Sequence, residues 1–122
     1  MRRVDKPWGH EFVWAETDRY VGKILHVRAG CRLSLQYHRV KDETMLLQSG
    51  EIELLLEDEH GDLVARRLQP GVSVHIPPGR RHRLTAITDA DVIEVSTAEL
   101  EDVVRISDDH GRAPGDGGDD DR

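Results

Sequence analysis

With 122 residues, the chain suits one domain and is short for two of ordinary size. A formal net charge of −7 offers no basic footprint for nucleic acid or anionic lipid, and the single cysteine, Cys31, cannot form an internal disulfide. No apolar run approaches the roughly 20 residues that cross a bilayer, and the charged opening has no hydrophobic stretch behind it, so a cytoplasmic protein is expected.

Along the chain, short apolar segments alternate with polar residues and are punctuated by turn formers, with little helical periodicity. Strands are predicted over 11–15, 20–28, 33–38, 43–48, 51–57, 64–68, 73–76, 82–86 and 91–96. The clearest is the fifth, where Ile52, Leu54 and Leu56 alternate with Glu51, Glu53 and Glu57. Gly50, His60-Gly61-Asp62, Pro70-Gly71 and Pro77-Pro78-Gly79 supply turns between them. One short helix is predicted over 98–103. After Ala113 no apolar residue follows, so 113–122 is expected to be a disordered acidic Gly/Asp-rich tail on a domain spanning 1–112. Many short strands near ten residues apart indicate an all-β sandwich or small barrel.

Four side chains on this framework offer lone pairs to a metal ion: Gln36, His38, Glu43 and His82. In an extended strand, Gln36 and His38 share one face, with Leu35 and Tyr37 on the other. Any one of them alone would be an ordinary strand residue. Together, bracketed by Gly30 and Gly50 and followed by the run from Gly71 to His82, they form a donor set of imidazole and oxygen that suits Zn, Mn, Fe, Ni or Co. Ser34, Tyr37 or a backbone carbonyl would orient the histidines. His26, alternating with Leu25 and Val27, is a further candidate for the barrel interior.

At these residues the chain resembles the cupin superfamily. Gly30, Gln36, His38, Glu43 and Gly50 occupy the positions of its first motif, with Gln36 where the first His is usual. Gly71, Pro77, Gly79 and His82 occupy those of its second, with Ala86 where Asn is usual. The Leu33-Ser-Leu-Gln36-Tyr-His38 stretch, the opening Lys6-Pro-Trp-Gly9, the segment from Ile76 to Leu84 and the closing stretch from Glu101 to Arg112 are similar to the mannose-6-phosphate isomerase branch, type II C-terminal cupin. The resemblance implies a single-domain jelly-roll β-barrel with a short C-terminal helical segment, metal ligands Gln36, His38, Glu43 and His82, and a phosphosugar clamp drawn from Lys41, Arg83 and Arg112. Arg39, Val40, Thr44 and Met45 depart from the branch, which has His, His, His and Trp there.

Three functions follow from that resemblance. The first is a metal-dependent phosphosugar aldose–ketose isomerase, with Zn as the foremost metal and no general base named. The second is a non-catalytic metal cupin binding a sugar or small acid. The third is a metal-dependent oxygenase, against which Gln36 speaks. A small-molecule ligand is expected, with neither nucleic acid nor membrane as partner. A homodimer is expected too, with residues 2–13 serving as an added strand.

Overall fold

The computed structural model describes residues 1–99, 101–107 and 115–117, the last as backbone only. The strands in chain order are β1 (Arg2–Lys6), β2 (Gly9–Glu16), β3 (Tyr20–Val27), β4 (Leu35–Tyr37), β5 (Glu43–Ser49) and β6 (Ile52–Glu57). They continue with β7 (Leu63–Leu68), β8 (Ser73–Ile76), β9 (His82–Ala86), β10 (Ala90–Thr97), β11 (Val103–Ser107) and β12 (Gly115–Gly117). Two six-stranded antiparallel sheets result, ordered β1-β2-β3-β10-β5-β8 and β12-β11-β4-β9-β6-β7. Consecutive strands repeatedly cross from one sheet to the other, which is the jelly-roll pattern expected for the fold.

Side-chain alternation sets the inner faces. Leu25 and Val27 of β3 stand beside Val92 and Ala90 of β10, and Leu47 of β5 stands beside Val92. Across from them, the second sheet offers Ile52, Leu54 and Leu56 of β6 with Leu84 and Ala86 of β9. All of these are buried, with Trp8 and Leu33 closing the cluster. Each such side chain contributes about 1.5–3 kcal/mol through removal from water. Cys31 is half-buried and packs against this core as a small apolar filler.

Gly50, at the tight turn between β5 and β6, has φ +86°, and a Cβ there would sit 2.2 Å from the Asp89 carbonyl oxygen. Both the left-handed backbone and the close approach demand glycine.

The helix expected over 98–103 is absent: no described residue there is helical, and Val103 already begins β11. Its replacement has a local cause. The Asp102 carboxylate accepts hydrogen bonds from the backbone N–H groups of Arg39, Val40 and Lys41 at 3.0, 2.6 and 2.8 Å. This ties the segment to the loop after β4, and β11 then pairs with β4. Residues 2–13 form a hairpin, β1 with β2, inside their own sheet. The tail predicted to be disordered lies outside the described residues, apart from β12, whose backbone pairs with Val103–Arg105. No described helix is long and apolar enough to cross a membrane.

Candidate metal centre

Three strand ends bring the ligands together. Gln36 lies in β4, and its Cα partner across the ladder is His82, the first residue of β9, so the two side chains share the inner face. His38 follows β4 directly, and Glu43 opens β5 on the facing sheet. The turn before β9 is pinned to this group: Gly79, at φ +84°, donates its N–H to the His38 carbonyl at 2.6 Å. Only glycine enters that backbone region without strain.

His38 Nε2 stands 3.1 Å from Glu43 Oε1, and His82 Nε2 stands 3.4 Å from the same oxygen. One ligand atom from each of the three residues lies within 4.8 Å of the others. Gln36, His38, Glu43 and His82 are at most 2% exposed. The orienting groups, left open between Ser34, Tyr37 and a carbonyl, are backbone carbonyls. His38 Nδ1 is 2.6 Å from the Asp102 carbonyl, and His82 Nδ1 is 2.9 Å from the Arg80 carbonyl. A carbonyl only accepts, so each Nδ1 carries a proton, and Nε2 is the ring nitrogen left to bind an ion.

That arrangement is electrostatically incomplete by itself. Two imidazole Nε2 atoms lie against one carboxylate oxygen, and Gln36 Oε1, Glu43 Oε2 and His82 Nε2 are buried with no hydrogen-bond partner. Buried polar atoms in this state cost free energy. A divalent cation among His38, Glu43 and His82 would give the Glu43 and His82 atoms a partner, and two imidazoles with a carboxylate fit such an ion.

Burial pushes the Glu43 carboxyl up, but the Glu94 carboxyl beside it, the two histidines and the Lys41 ammonium outweigh that effect and hold it well below the usual carboxylate range. Lys41 is fully buried, with Nζ 3.8 Å from Glu43 Oε2 and 3.8 Å from Glu94 Oε2. Further along the first sheet, buried Lys23 reaches Glu11 Oε1 at 3.3 Å, and Lys6 reaches the same oxygen at 3.6 Å. Arg105 of β11 is the Cα partner of Gln36 and is buried. The row Arg105–Gln36–His82 therefore runs across the second sheet at the level of the cluster.

The structure sorts the remaining candidates. Lys41 joins the ligands. Arg83 follows His82 on β9 and takes the opposite face, with Nε donating to the Leu33 carbonyl at 2.8 Å. Arg112 and His110 lie outside the described residues. His26 points to the outer face rather than the barrel interior, where it meets Asp91 Oδ1 at 2.7 Å. His75 meets Asp42 Oδ1 at 2.6 Å on the exposed side of β8. Arg80 and Arg81 are occupied by the Glu57 and Gly61 carbonyls and the His75 carbonyl. Sequence reasoning did not single out Glu94, Asp102 or Arg105. The alternation of Val92, Glu94 and Ser96, and of Val103 and Arg105, carried the only signal for two of them.

The sequence profile of the family described as mannose-6-phosphate isomerase C-terminal matches residues 1–108. The mannose-1-phosphate guanylyltransferase of Escherichia coli (strain K12) is 34% identical over 116 residues, covering 91% of this chain and 23% of that protein. The xanthan biosynthesis protein XanB of Xanthomonas campestris pv. campestris (strain B100) is 32% identical over 116 residues, covering 91% and 24%. The chain thus spans about a quarter of the length of these curated relatives. Among solved structures, KdgF from Halomonas sp. superposes with a TM-score of 0.68 at 22% identity, covering 80% of this chain and 88% of that one. An RmlC-like cupin from Shewanella frigidimarina NCIMB 400 gives 0.69 at 15% identity, covering 80% and 83%. Those structures establish the cupin fold, and with the profile match over nearly its whole length, the chain belongs to the mannose-6-phosphate isomerase C-terminal family of cupins.

Proposed function

We propose that this cupin binds one divalent metal ion through Gln36, His38, Glu43 and His82 and acts on a phosphosugar, interconverting an aldose and a ketose such as mannose 6-phosphate and fructose 6-phosphate. The observation that supports the metal is the convergence of His38 Nε2 and His82 Nε2 on one oxygen of the buried Glu43 carboxylate, with Gln36 in register with His82. The sugar-phosphate class is supported by the family and by the names of the curated relatives. Zn is the first metal to try, with Co, Mn, Fe and Ni as alternatives.

A bound ion would polarise adjacent carbonyl and hydroxyl oxygens of the sugar and lower the energy of the enediolate. The chain's own residues supply the rest. His38 and His82 are locked by backbone carbonyls, so their Nε2 atoms need no reorientation. Lys41 Nζ lies 3.8 Å from both Glu43 and Glu94, beside the candidate ligands, where it can donate to a developing oxyanion. Arg105, in register with Gln36, is the guanidinium placed to meet an anionic group from the β11 side. In this reading Lys41 and Arg105 take the recognition role expected of Lys41, Arg83 and Arg112, while Arg112 remains to be tested by substitution.

The test is conversion of mannose 6-phosphate with added Zn or Co, with the bound ion measured by elemental analysis. Turnover that disappears in His82→Ala supports the reading. Full metal occupancy with no turnover rejects isomerisation. It leaves the second reading, a metal cupin that binds a sugar or small acid without converting it. That reading is favoured by the closure of the cluster, whose ligands are at most 2% exposed, and by Arg39, Val40, Thr44 and Met45 beside it. Thermal stabilisation by sugars or acids in the absence of turnover identifies it. Oxygen consumption with Fe(II) tests the third, the oxygenase.

A further inference from the structure

Glu57 is the last residue of β6 and, by alternation, faces outward with Glu53. A residue in that position is ordinarily left to water. Here the side chain is 24% exposed, and Glu57 makes four hydrogen bonds to one short turn, Arg80–Arg81, which leads directly into His82. Leu56, the residue before it, is the Cα partner of His82. Glu57 therefore lies one step beyond the rung that carries the ring.

On the reading that His82 is a metal ligand, we infer that Glu57 is a positioning residue for it, acting on the imidazole through the single peptide unit between Arg80 and Arg81. The N–H of that unit, from Arg81, donates to Glu57 Oε1 at 3.0 Å. Its C=O, from Arg80, accepts from His82 Nδ1 at 2.9 Å. A peptide unit is planar, so a group that fixes the N–H also fixes the direction of the carbonyl. Hydrogen bonds linked in this way polarise one another, and a carboxylate at the head of the row makes the carbonyl a stronger acceptor for the ring. Asp102 serves His38 with its own carbonyl, whereas Glu57 serves His82 through a neighbour's.

The remaining contacts hold the same unit in place. The Glu57 N–H donates to the Arg81 carbonyl at 2.9 Å, and Arg81 Nη2 reaches Glu57 Oε2 at 3.4 Å. Arg80 Nε donates to the Glu57 carbonyl at 2.8 Å and its Nη1 to the His75 carbonyl at 2.9 Å. The turn is thus tied to β6 in one sheet and to β8 in the other. The Arg81 N–H, and then the Arg81 side chain, hold the Glu57 carboxyl below the usual carboxylate range against the opposing effect of burial, so an anion heads the row. As a partly exposed ion pair with Arg81, Glu57 would contribute little to stability. Its effect on the ring and its effect on the fold are therefore separable.

The test compares the full chain with Glu57→Ala, Glu57→Gln and, as a control, Glu59→Ala, whose native side chain is 86% exposed on the same turn. Three readouts are taken: Co(II) affinity by isothermal titration, the 15N signals of the His82 ring in metal-free protein, and thermal melting. Glu57→Ala is expected to weaken Co(II) binding about 10–100-fold. Melting should stay close to that of the parent, because the backbone bonds of the turn remain. The parent ring should show one tautomer, protonated on Nδ1, and Glu57→Ala a mixture of both. Glu57→Gln keeps an oxygen for the Arg81 N–H, so it should recover most of the affinity and the single tautomer. Glu59→Ala should match the parent throughout. Parent-like affinity and unchanged His82 signals in Glu57→Ala overturn the inference. An affinity loss that Glu57→Gln fails to recover, or that comes only with a fall in melting temperature, overturns it as well. A parent that binds no Co(II) removes the metal reading instead, and the His82 signals then still decide whether Glu57 holds the ring.

Discussion

The two ends of the barrel interior are built from the same strands and obey opposite rules. At one end Val27 and Leu25 of β3, Ala90 and Val92 of β10 and Leu47 of β5 pack without a polar atom among their side chains. One alternation further along, the same strands place Lys23, then Glu94 and Ser96, then Glu43 on the same inner face. The first end is stabilised by water release and close packing. The second has lost hydration, which charge pairs such as Lys41 with Glu94 and Lys23 with Glu11 offset in part. The period-two pattern therefore decides which residues face inward, while the chemistry of those residues decides whether a stretch of interior is ballast or site.

Four measurements would break or sharpen that contrast. Leu54→Ala, at the apolar end, is expected to cost about 2–5 kcal/mol in urea unfolding. The loss should be the same with saturating metal or with chelator. A cost that changes with metal would mean the ends are not separable. Saturating ion, at about 100 times its dissociation constant, is expected to add about 2.7 kcal/mol to the parent and nothing to His82→Ala. An equal gain in both would remove His82 from the ligand set.

Asp102→Ala is expected to cost about 1–3 kcal/mol, since three backbone N–H groups lose their acceptor. It should also weaken ion affinity about 10–100-fold, because the carboxylate anchors the segment whose backbone carbonyl, retained in the variant, orients His38. Isothermal titration would show an unchanged affinity if that orientation did not matter.

The smallest effect is on acid stability of the metal-free protein. Glu43 sits well below the usual carboxylate range when folded, so its ionised form adds stability that is present above the ordinary value of 4.5 and is lost as pH falls through the folded value. Asp102 acts in the same direction: burial raises it, but the N–H groups of Lys41, Val40 and Arg39 and the His38 ring lower it further. Glu43→Gln should therefore lose less stability than the parent between about pH 5 and pH 3. A parallel decline would show that Glu43 is not held ionised.

Most of the strand framework was legible before any coordinates, because turn formers and alternation are local. The clustering of His38, Glu43 and His82, the candidate ligands, was legible too, since Gln36 and His38 share a face by parity and Gln36 pairs with His82 after the Pro77–Gly79 turn. Parity would equally have turned Arg83 away from His82, had it been applied there. Strand β11 and the non-helical course of the described residues over 98–103 were not legible. Their pairing partners lie far away in sequence or, for Asp102, more than sixty residues off in the loop it serves. Glu94 and Lys23 escaped for a related reason. A charged residue in an alternating strand reads as outward until the neighbouring strands supply its counter-charges.

Asp102 joins two distant parts of the chain with one side chain and one carbonyl. Its carboxylate stitches the loop of Arg39 to Lys41, and its carbonyl steadies His38. Fraying of the segment that leads into β11 would undo both stitches together and slacken the grip on a captured ion. The rate at which a chelator strips that ion thus becomes a clock for how often the end of the chain lets go.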